Sequence, residues 1–273
     1  MTEGHAHRAD LSTTRVFLLD MDGTFYLGDR LLDGSLDFLD TIERTGRTAL
    51  FLTNNSSKSA RVYERKLERM GVPERHRLVY TSGQATASYC LRTFPNRRAF
   101  LLGTPPLRKE LESMGLVIDN DNPDYVIIGY DTTLDYPKMT RLCDLVRDGL
   151  PYIATHPDFN CPTETGFAPD IGAIIAFVEA SANRRPDAII GKPYAGIVDG
   201  ALTMAKASRE ESAMVGDRLY TDIATGVNNG LLSILVLTGE AKLADLPSSP
   251  VQPHRIADRL ADLIPDLIAH PIL

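Results

Sequence analysis

At 273 residues the chain exceeds the usual single-domain size and can bury a sizeable core, so one large or two modest domains are expected. Charged residues make up 24 % and hydrophobic residues 43 %, a normal soluble balance, and a formal charge of -7 with no basic run or interleaved aromatic stripe argues against a nucleic-acid binder. No apolar segment approaches the ~20 residues that span a bilayer, and the N-terminus lacks the charged-then-apolar order of a signal peptide, so a cytoplasmic protein without a membrane partner is expected.

Residues 1–14 lack apolar periodicity and read as a mobile arm. The run Val16-Phe17-Leu18-Leu19 then reads as a strand buried on both faces, as in parallel α/β sheets, where ligands collect beyond the carboxyl ends of strands. It ends in Asp20-Met21-Asp22-Gly23-Thr24. Alternate residues of an extended stretch share a face, so Asp20 and Asp22 point into one site if the chain stays extended, and Gly23 then lets it turn away. Like charges this close imply a metal or acid/base work. An Asp-Gly turn after an ordinary strand would read the same way.

A helix is expected over 35–45, with Leu36, Leu39 and Ile42 on its buried face and Gly46 as its stop. The strand 50–52 leads into Thr53-Asn54-Asn55-Ser56-Ser57, and a helix with Val62, Leu67 and Met70 inward closes at Gly71. Hydroxyls and amides between a strand and a helix suit anion binding, and they suit a plain N-cap equally well. Further strands are expected at 99–102, 125–128, 152–154, 188–190, 213–215 and 233–237, most followed by helical stretches, the alternation of βα units. Helix 171–182 buries Ile174, Ile175 and Val178, and the tail carries an edge strand near Ile256 and a helix with Leu260, Leu263 and Leu267. Cys90, Cys143 and Cys161 are odd in number and widely spaced, which fits neither a disulfide framework nor a zinc site.

Two of the later strand ends carry chemistry. Ile189-Ile190 leads into Gly191-Lys192-Pro193, and Val215 into Gly216-Asp217-Arg218-Leu219-Tyr220-Thr221-Asp222 before a helix over 223–229. Lys192 alone would be a solvated lysine, and Asp217 and Asp222 alone would be turn and cap residues. Polar groups at equivalent places in separate βα units are better explained by one shared site.

Taken in order, Asp20-Met21-Asp22-Gly23-Thr24, Thr53, Lys192, and Gly216-Asp217 with Asp222 resemble the four motifs of the haloacid dehalogenase superfamily. Thr53-Asn54-Asn55-Ser56, Ile190-Gly191-Lys192-Pro193 and the 216–222 stretch are most similar to subfamily IIA, which contains 4-nitrophenylphosphatases, the NagD and AraL sugar phosphatases and pyridoxal phosphate phosphatase. One departure is Asp170, where relatives often have Gly, which puts the local shape of the 166–170 loop in question.

The resemblance implies a Rossmann-like α/β parallel-sheet core, residues 15–81 and 188–273, with an inserted α/β cap domain over 82–187 that closes over the site and selects substrates. It implies a Mg²⁺-dependent phosphatase of small phosphorylated metabolites, sugar phosphates foremost and aryl phosphates as artificial substrates, working through an aspartyl-phosphate. Asp20 would be the nucleophile and Asp22 the acid and base. Asp217, a side-chain oxygen of Asp20 and the backbone carbonyl of Asp22 would hold the metal, with Asp222 in the same acidic set but better suited to orienting the ligands. An all-oxygen set favours Mg²⁺ over Zn²⁺. Gly23, Thr53, Asn54, Asn55 and neighbouring amides would bind the phosphoryl group, and Lys192 would supply fixed positive charge. His156, in the loop after strand 152–154, is a candidate substrate contact, although a loop histidine without a role reads the same. Relatives also use their caps to dimerise, so a homodimer through the cap is an option. A phosphotransferase or phosphomutase would share the phosphoenzyme. A phospho-signalling receiver is disfavoured by chain length and motif order, and a non-catalytic metabolite binder by the intact acidic and lysine positions.

Overall fold

The computed structural model describes residues 10–163 and 166–272. The chain divides into two compact units. One comprises the described residues of Met1–Leu52, Glu64–Tyr80 and Pro193–Leu273, and the other comprises those of Thr53–Tyr63 and Thr81–Lys192. The sequence reading assigned 53–63, Thr81 and 188–192 to the core; their contacts group them with the second unit instead.

The first unit is built on a six-stranded sheet in the order Arg255–Ala257, Leu232–Val236, Ser212–Gly216, Val16–Leu19, Thr48–Thr53, Val79–Thr81. Val16–Leu19 pairs in parallel with Ser212–Gly216 on one side and Thr48–Thr53 on the other. The strand that leads the chain therefore lies in the interior, and successive connections leave it in opposite directions. That reversal opens a crevice beyond the carboxyl ends of these strands. Burial explains why the sequence permits this position: all four residues of Val16–Leu19 are 0–3 % exposed. Phe17 meets Phe38 edge-on at 5.7 Å, and Phe25 meets Phe51 at 4.8 Å.

Helix Ser35–Arg44 buries Phe38, Leu39 and Ile42. Leu36, expected inward, is 37 % exposed, because the larger Phe38 takes the middle of the apolar stripe and leaves Leu36 at its margin. In helix Ala60–Arg69 the same shift occurs: Tyr63 and Leu67 are buried while Val62 and Met70 are half-buried. The helix expected over 223–229 begins earlier, as a widened turn over Leu219–Ile223 that continues into Ala224–Asn228.

The second unit carries a five-stranded parallel sheet in the order Ala188–Ile189, Tyr152–Ala154, Tyr125–Ile128, Arg98–Leu102, Val117–Ile118. A hairpin pairs Asn160–Thr163 with Gly166–Pro169. Its core joins Leu102, Val126, Ile128, Leu142, Tyr152, Ile171 and Val178, with Ile175 only half-buried beside it. Each long helix starts on a side-chain cap: Thr81 for Ser82–Thr93, Thr104 for Pro105–Ser113, Asp135 for Tyr136–Arg147 and Asp170 for Ile171–Ala182. Asp170, the departure from relatives, thus starts a helix.

The N-terminal arm needs correction. Residues 1–9 lie outside the described residues, but Leu11 and Thr14 are each 2 % exposed. Arg47, itself 5 % exposed, holds them: its guanidinium donates to the backbone carbonyls of Thr14 at 2.9 Å and Leu11 at 3.3 Å. The same fork reaches Leu267 O and His270 O at the end of helix Ile264–Ala269. One buried cation so neutralises a helix C-terminus and pins the start of the fold. Arg47→Ala is expected to lower unfolding free energy by about 2–4 kcal/mol, the cost of several buried carbonyls losing a charged donor, with Arg47→Lys recovering less than half because one ammonium cannot span the fork. Urea denaturation checks this, and an unchanged midpoint would remove Arg47 from that role.

Candidate active site

In the first unit Asp20 extends the central strand by one more ladder bond, its N–H donating to Val215 O at 2.9 Å. Alternation then holds as expected: Met21 is 2 % exposed and faces the core, while Asp20 is half-buried and Asp22 exposed. The chain turns back at once, with the Phe25 and Tyr26 N–H groups both donating to Met21 O and Gly23 N–H donating to Tyr26 O. Gly23 has φ +90°, a conformation that strains any other residue.

Asp217 follows strand Ser212–Gly216 and is 2 % exposed. Its Oδ2 accepts from Glu240 N–H at 2.8 Å and its Oδ1 from Thr24 Oγ1 at 3.3 Å. Two glycines make this possible: a Cβ added at Gly239 would lie 2.0 Å from Asp217 Oδ2, and one at Gly23 would lie 2.5 Å from it. Asp222 is fully buried and its Oδ2 accepts from Arg218 N–H at 3.1 Å. The widened turn places it there, because both Asp222 N–H and Ile223 N–H donate to Arg218 O.

Carboxylate oxygens of Asp20, Asp217 and Asp222 come within 4.8 Å of one another. The Asp22 carboxylate does not join them; it accepts a long hydrogen bond from Gly28 N–H at 3.5 Å. Arg218, which sequence reading passed over, bears on this cluster. Burial pulls its pKa down, but the carboxylates of Asp20, Asp222 and Asp217 outweigh burial and hold the guanidinium above its ordinary value. Its Nε lies 3.1 Å from Glu240 Oε2. The signal for Arg218 and Glu240 was adjacency to Asp217 and to Gly239, visible only once those positions are known to meet.

A buried all-oxygen donor set of this kind fits a hard divalent cation such as Mg²⁺. Another close trio, Asp40, Glu43 and His76, differs in that Arg75 Nε sits 2.8 Å from Glu43 Oε2, and this hydrogen bond keeps the Glu43 carboxyl below its usual range.

The remaining candidate residues belong to the second unit. Thr53 is 7 % exposed and its Oγ1 accepts from Asn55 N–H at 3.2 Å. Asn55 Oδ1 accepts from Ser57 N–H at 3.0 Å and Ser57 Oγ at 2.7 Å, which makes Asn55 the cap of its own loop. Asn54 is committed further. Its Oδ1 accepts from Lys192 N–H at 2.7 Å, and its Nδ2 donates to Lys192 O at 3.0 Å and to the Asp158 carboxylate at 3.1 and 3.2 Å. Lys192 is 3 % exposed. Side-chain amides expected to bind substrate are thus spent on the protein.

His156 also departs from expectation. Its imidazole is 0 % exposed, with Nδ1 3.7 Å from Asp158 Oδ2 and Nε2 3.6 Å from Asp170 Oδ1. A side chain closed off inside the unit does not present itself to substrate from a surface loop. Asp158, missed in the sequence, lies only two residues along the same loop.

Comparison with known proteins agrees with this geometry. A haloacid dehalogenase-like hydrolase family model matches residues 17–117, and one described as HAD-hydrolase-like matches 189–263. The chain is 37 % identical over 254 residues to an acid sugar phosphatase of Staphylococcus aureus strain MRSA252, covering 93 % of this chain and 98 % of that protein. Among solved structures, a 4-nitrophenylphosphatase from Thermotoga maritima superposes with a TM-score of 0.89 at 49 % identity, over 93 % of this chain and 98 % of that one. NagD from E. coli K-12 gives a TM-score of 0.83 at 34 % identity, over 91 % and 97 %. The chain belongs to the haloacid dehalogenase-like hydrolases, in subfamily IIA.

The tight packing around Asp217 yields a test. Gly239→Ala is expected to displace the Asp217 carboxylate and weaken Mg²⁺ binding at least about tenfold with the fold retained, the scale typical of perturbing a ligand's surroundings. Calorimetric titration beside circular dichroism measures it. Unchanged affinity would take Asp217 out of the metal set.

Proposed function

We propose that this chain is a Mg²⁺-dependent phosphatase that hydrolyses phosphate monoesters of small metabolites, sugar phosphates in particular, with aryl phosphates serving as artificial substrates. The observation that carries the reading is the convergence of Asp20, Asp217 and Asp222 at the carboxyl ends of two adjacent interior strands, in a chain of this family. The relatives named acid sugar phosphatase and 4-nitrophenylphosphatase supply the substrate classes.

The bond to be broken is a P–O ester, and hydrolysis proceeds in two displacements. A carboxylate oxygen of Asp20 attacks phosphorus, forming an aspartyl-phosphate as the ester oxygen leaves with its electron pair. Asp22 gives that oxygen a proton, then takes one from the water that attacks the aspartyl-phosphate, releasing inorganic phosphate and restoring Asp20. The exposure of Asp22 and its weak ties suit a group that exchanges protons with substrate and water. Asp20, Asp217 and the Asp22 carbonyl would hold Mg²⁺, which when bound offsets the charge of the nucleophile and phosphoryl group. Asp222 keeps the 217–222 turn in place. The Thr53 hydroxyl and the backbone N–H of Asn54 bind phosphoryl oxygens, and Lys192 adds positive charge to the same group.

The same reading makes residues 82–187 the cap that selects substrates; residues 53–63 and 188–192, which group with them, carry Thr53 and Lys192, and the first unit supplies the acidic residues. A cytoplasmic location fits, and among the described residues no helix is long and apolar enough to cross a membrane. A homodimer through the cap fits the apolar surface of the second unit, where Tyr136 is 79 % and Phe177 47 % exposed. Nucleic acid has no place in this reading.

Phosphate release from 4-nitrophenyl phosphate is expected to require Mg²⁺, to cease on chelation and to fall at least about 10⁴-fold in Asp20→Asn, the scale of losing a covalent nucleophile. Full activity in that variant would sink the mechanism. Asp22→Asn is expected to lose turnover about 10²–10⁴-fold, as removal of a general acid does, while calorimetric Mg²⁺ affinity stays within about threefold. Loss of metal binding instead would show that the Asp22 side chain is a ligand.

A further inference from the structure

We propose that Asp158 is a positioning residue for Lys192, acting through Asn54, with His156 as its support. The inference rests on the phosphatase reading for its consequence, and on the geometry of the second unit alone for its cause.

Asn54 grips Lys192 by both backbone groups, accepting from its N–H at 2.7 Å and donating to its C=O at 3.0 Å. A primary amide that satisfies both groups of one residue fixes the peptide planes on either side of it. The reach of a lysine ammonium depends on where its Cα and backbone torsions start it, since four flexible carbons follow. The grip needs the amide in one orientation, because a flipped Asn54 would aim its NH₂ at the Lys192 N–H and its oxygen at the Lys192 C=O.

Asp158 enforces that orientation. Asn54 Nδ2 donates to both Asp158 oxygens, at 3.1 and 3.2 Å, and a carboxylate repels the amide oxygen that a flip would bring. A charged acceptor also makes the stronger bond and polarises the amide, which sharpens its hold on Lys192. Asp158 has little freedom of its own: it is 9 % exposed, and its carbonyl accepts from Gly172 N–H at 2.8 Å. His156 backs it from within, its Nδ1 accepting from Asp158 N–H at 3.4 Å and its Nε2 facing Asp170 Oδ1 at 3.6 Å.

Two glycines show how closely these loops are fitted. A Cβ at Gly191 would lie 2.6 Å from Asn54 Oδ1 and from Thr155 O and 2.8 Å from His156 Cβ, and one at Gly172 would lie 2.5 Å from Pro157 O. The Asp158 carbonyl, not its carboxylate, serves the start of helix Ile171–Ala182, whose side-chain cap is Asp170. The buried carboxylate is explained by the amide that it orients.

The test uses the full chain and two readouts. In Asp158→Ala, kcat/KM for 4-nitrophenyl phosphate is expected to fall about 10–100-fold, as misplacement of a charge-stabilising group does, and in the isosteric Asp158→Asn about 3–10-fold, since one carbonyl acceptor survives. In a Lys192→Ala background, read at high enzyme concentration, either substitution should change the rate by no more than about twofold, because the residue being positioned is gone. The second readout needs no catalysis: amide exchange followed by NMR should show the Lys192 N–H losing protection about tenfold or more in Asp158→Ala while strand Tyr125–Ile128 keeps its own. Should the alanine variant fail to fold, Asp158→Asn carries both arms. An equal loss with and without Lys192, or undiminished protection of the Lys192 amide, overturns the proposal. An inactive wild-type protein would count against the phosphatase reading and leave the exchange result to judge the positioning.

Discussion

Mutual repulsion among three carboxylates governs the design of the first unit. Oxygens of Asp20, Asp217 and Asp222 lie within 4.8 Å of one another, and two of the three residues are almost wholly removed from water. At that separation and an effective dielectric of about 20, each like-charge pair costs about 3–4 kcal/mol. The fold meets the cost locally with backbone N–H groups from Glu240 and Arg218, the Thr24 hydroxyl and the field of the Arg218 guanidinium. Such donors hold the carboxylates in one arrangement while leaving the cluster acidic, which is the condition for a site that receives a cation.

Backbone donors can serve a carboxylate only if backbone reaches it. That requirement explains glycine at three positions around the cluster. Side chains at Gly23 or Gly239 would occupy the space of Asp217 Oδ2, and a Cβ at Gly216 would lie 2.2 Å from that of Asp222. The widened turn over Leu219–Ile223 answers the same need from the other side, since Arg218 can accept two N–H groups at its carbonyl while giving its own N–H to Asp222. Irregular backbone is thus the means of concentrating charge at the carboxyl end of an otherwise regular sheet.

Much of this was legible in the sequence because it depends on short-range pattern. The run 16–19, the Asp-x-Asp-Gly-Thr that follows it and the later strand ends at Lys192 and Asp217 each announce themselves within a few residues, and their order supplied the family. Helix faces were legible to within one position, and Leu36 and Val62 show the limit: periodicity gives the stripe, but side-chain volume decides its centre. The arm was misread because Leu11 and Thr14 are held by Arg47, more than thirty residues away, and no local pattern encodes that bond. The side chain of Asn54 was read as facing substrate for a similar reason: its partners Asp158 and Lys192 stand 104 and 138 residues away. Asn55 and His156 were misread on shorter range, since their partners Ser57 and Asp158 are only two residues along and it is the fold of the loop that turns them inward.

The second unit shows what this concealed part costs and achieves. His156, Asp158, Asn54 and Lys192 are all at least nine-tenths buried, in a region where apolar side chains would pack more simply. Burying a carboxylate is unfavourable by several kcal/mol unless it is hydrogen-bonded, and a well-packed apolar substitute is often the more stable choice. What the polar arrangement gains is uniqueness. An apolar contact tolerates small slips and rotations, whereas an amide bonded to an N–H, a C=O and a carboxylate at once has one orientation that satisfies all three. A flexible lysine rooted in that arrangement inherits a defined starting point, and if its charge meets a phosphoryl group as proposed, definition is of more use to it than stability.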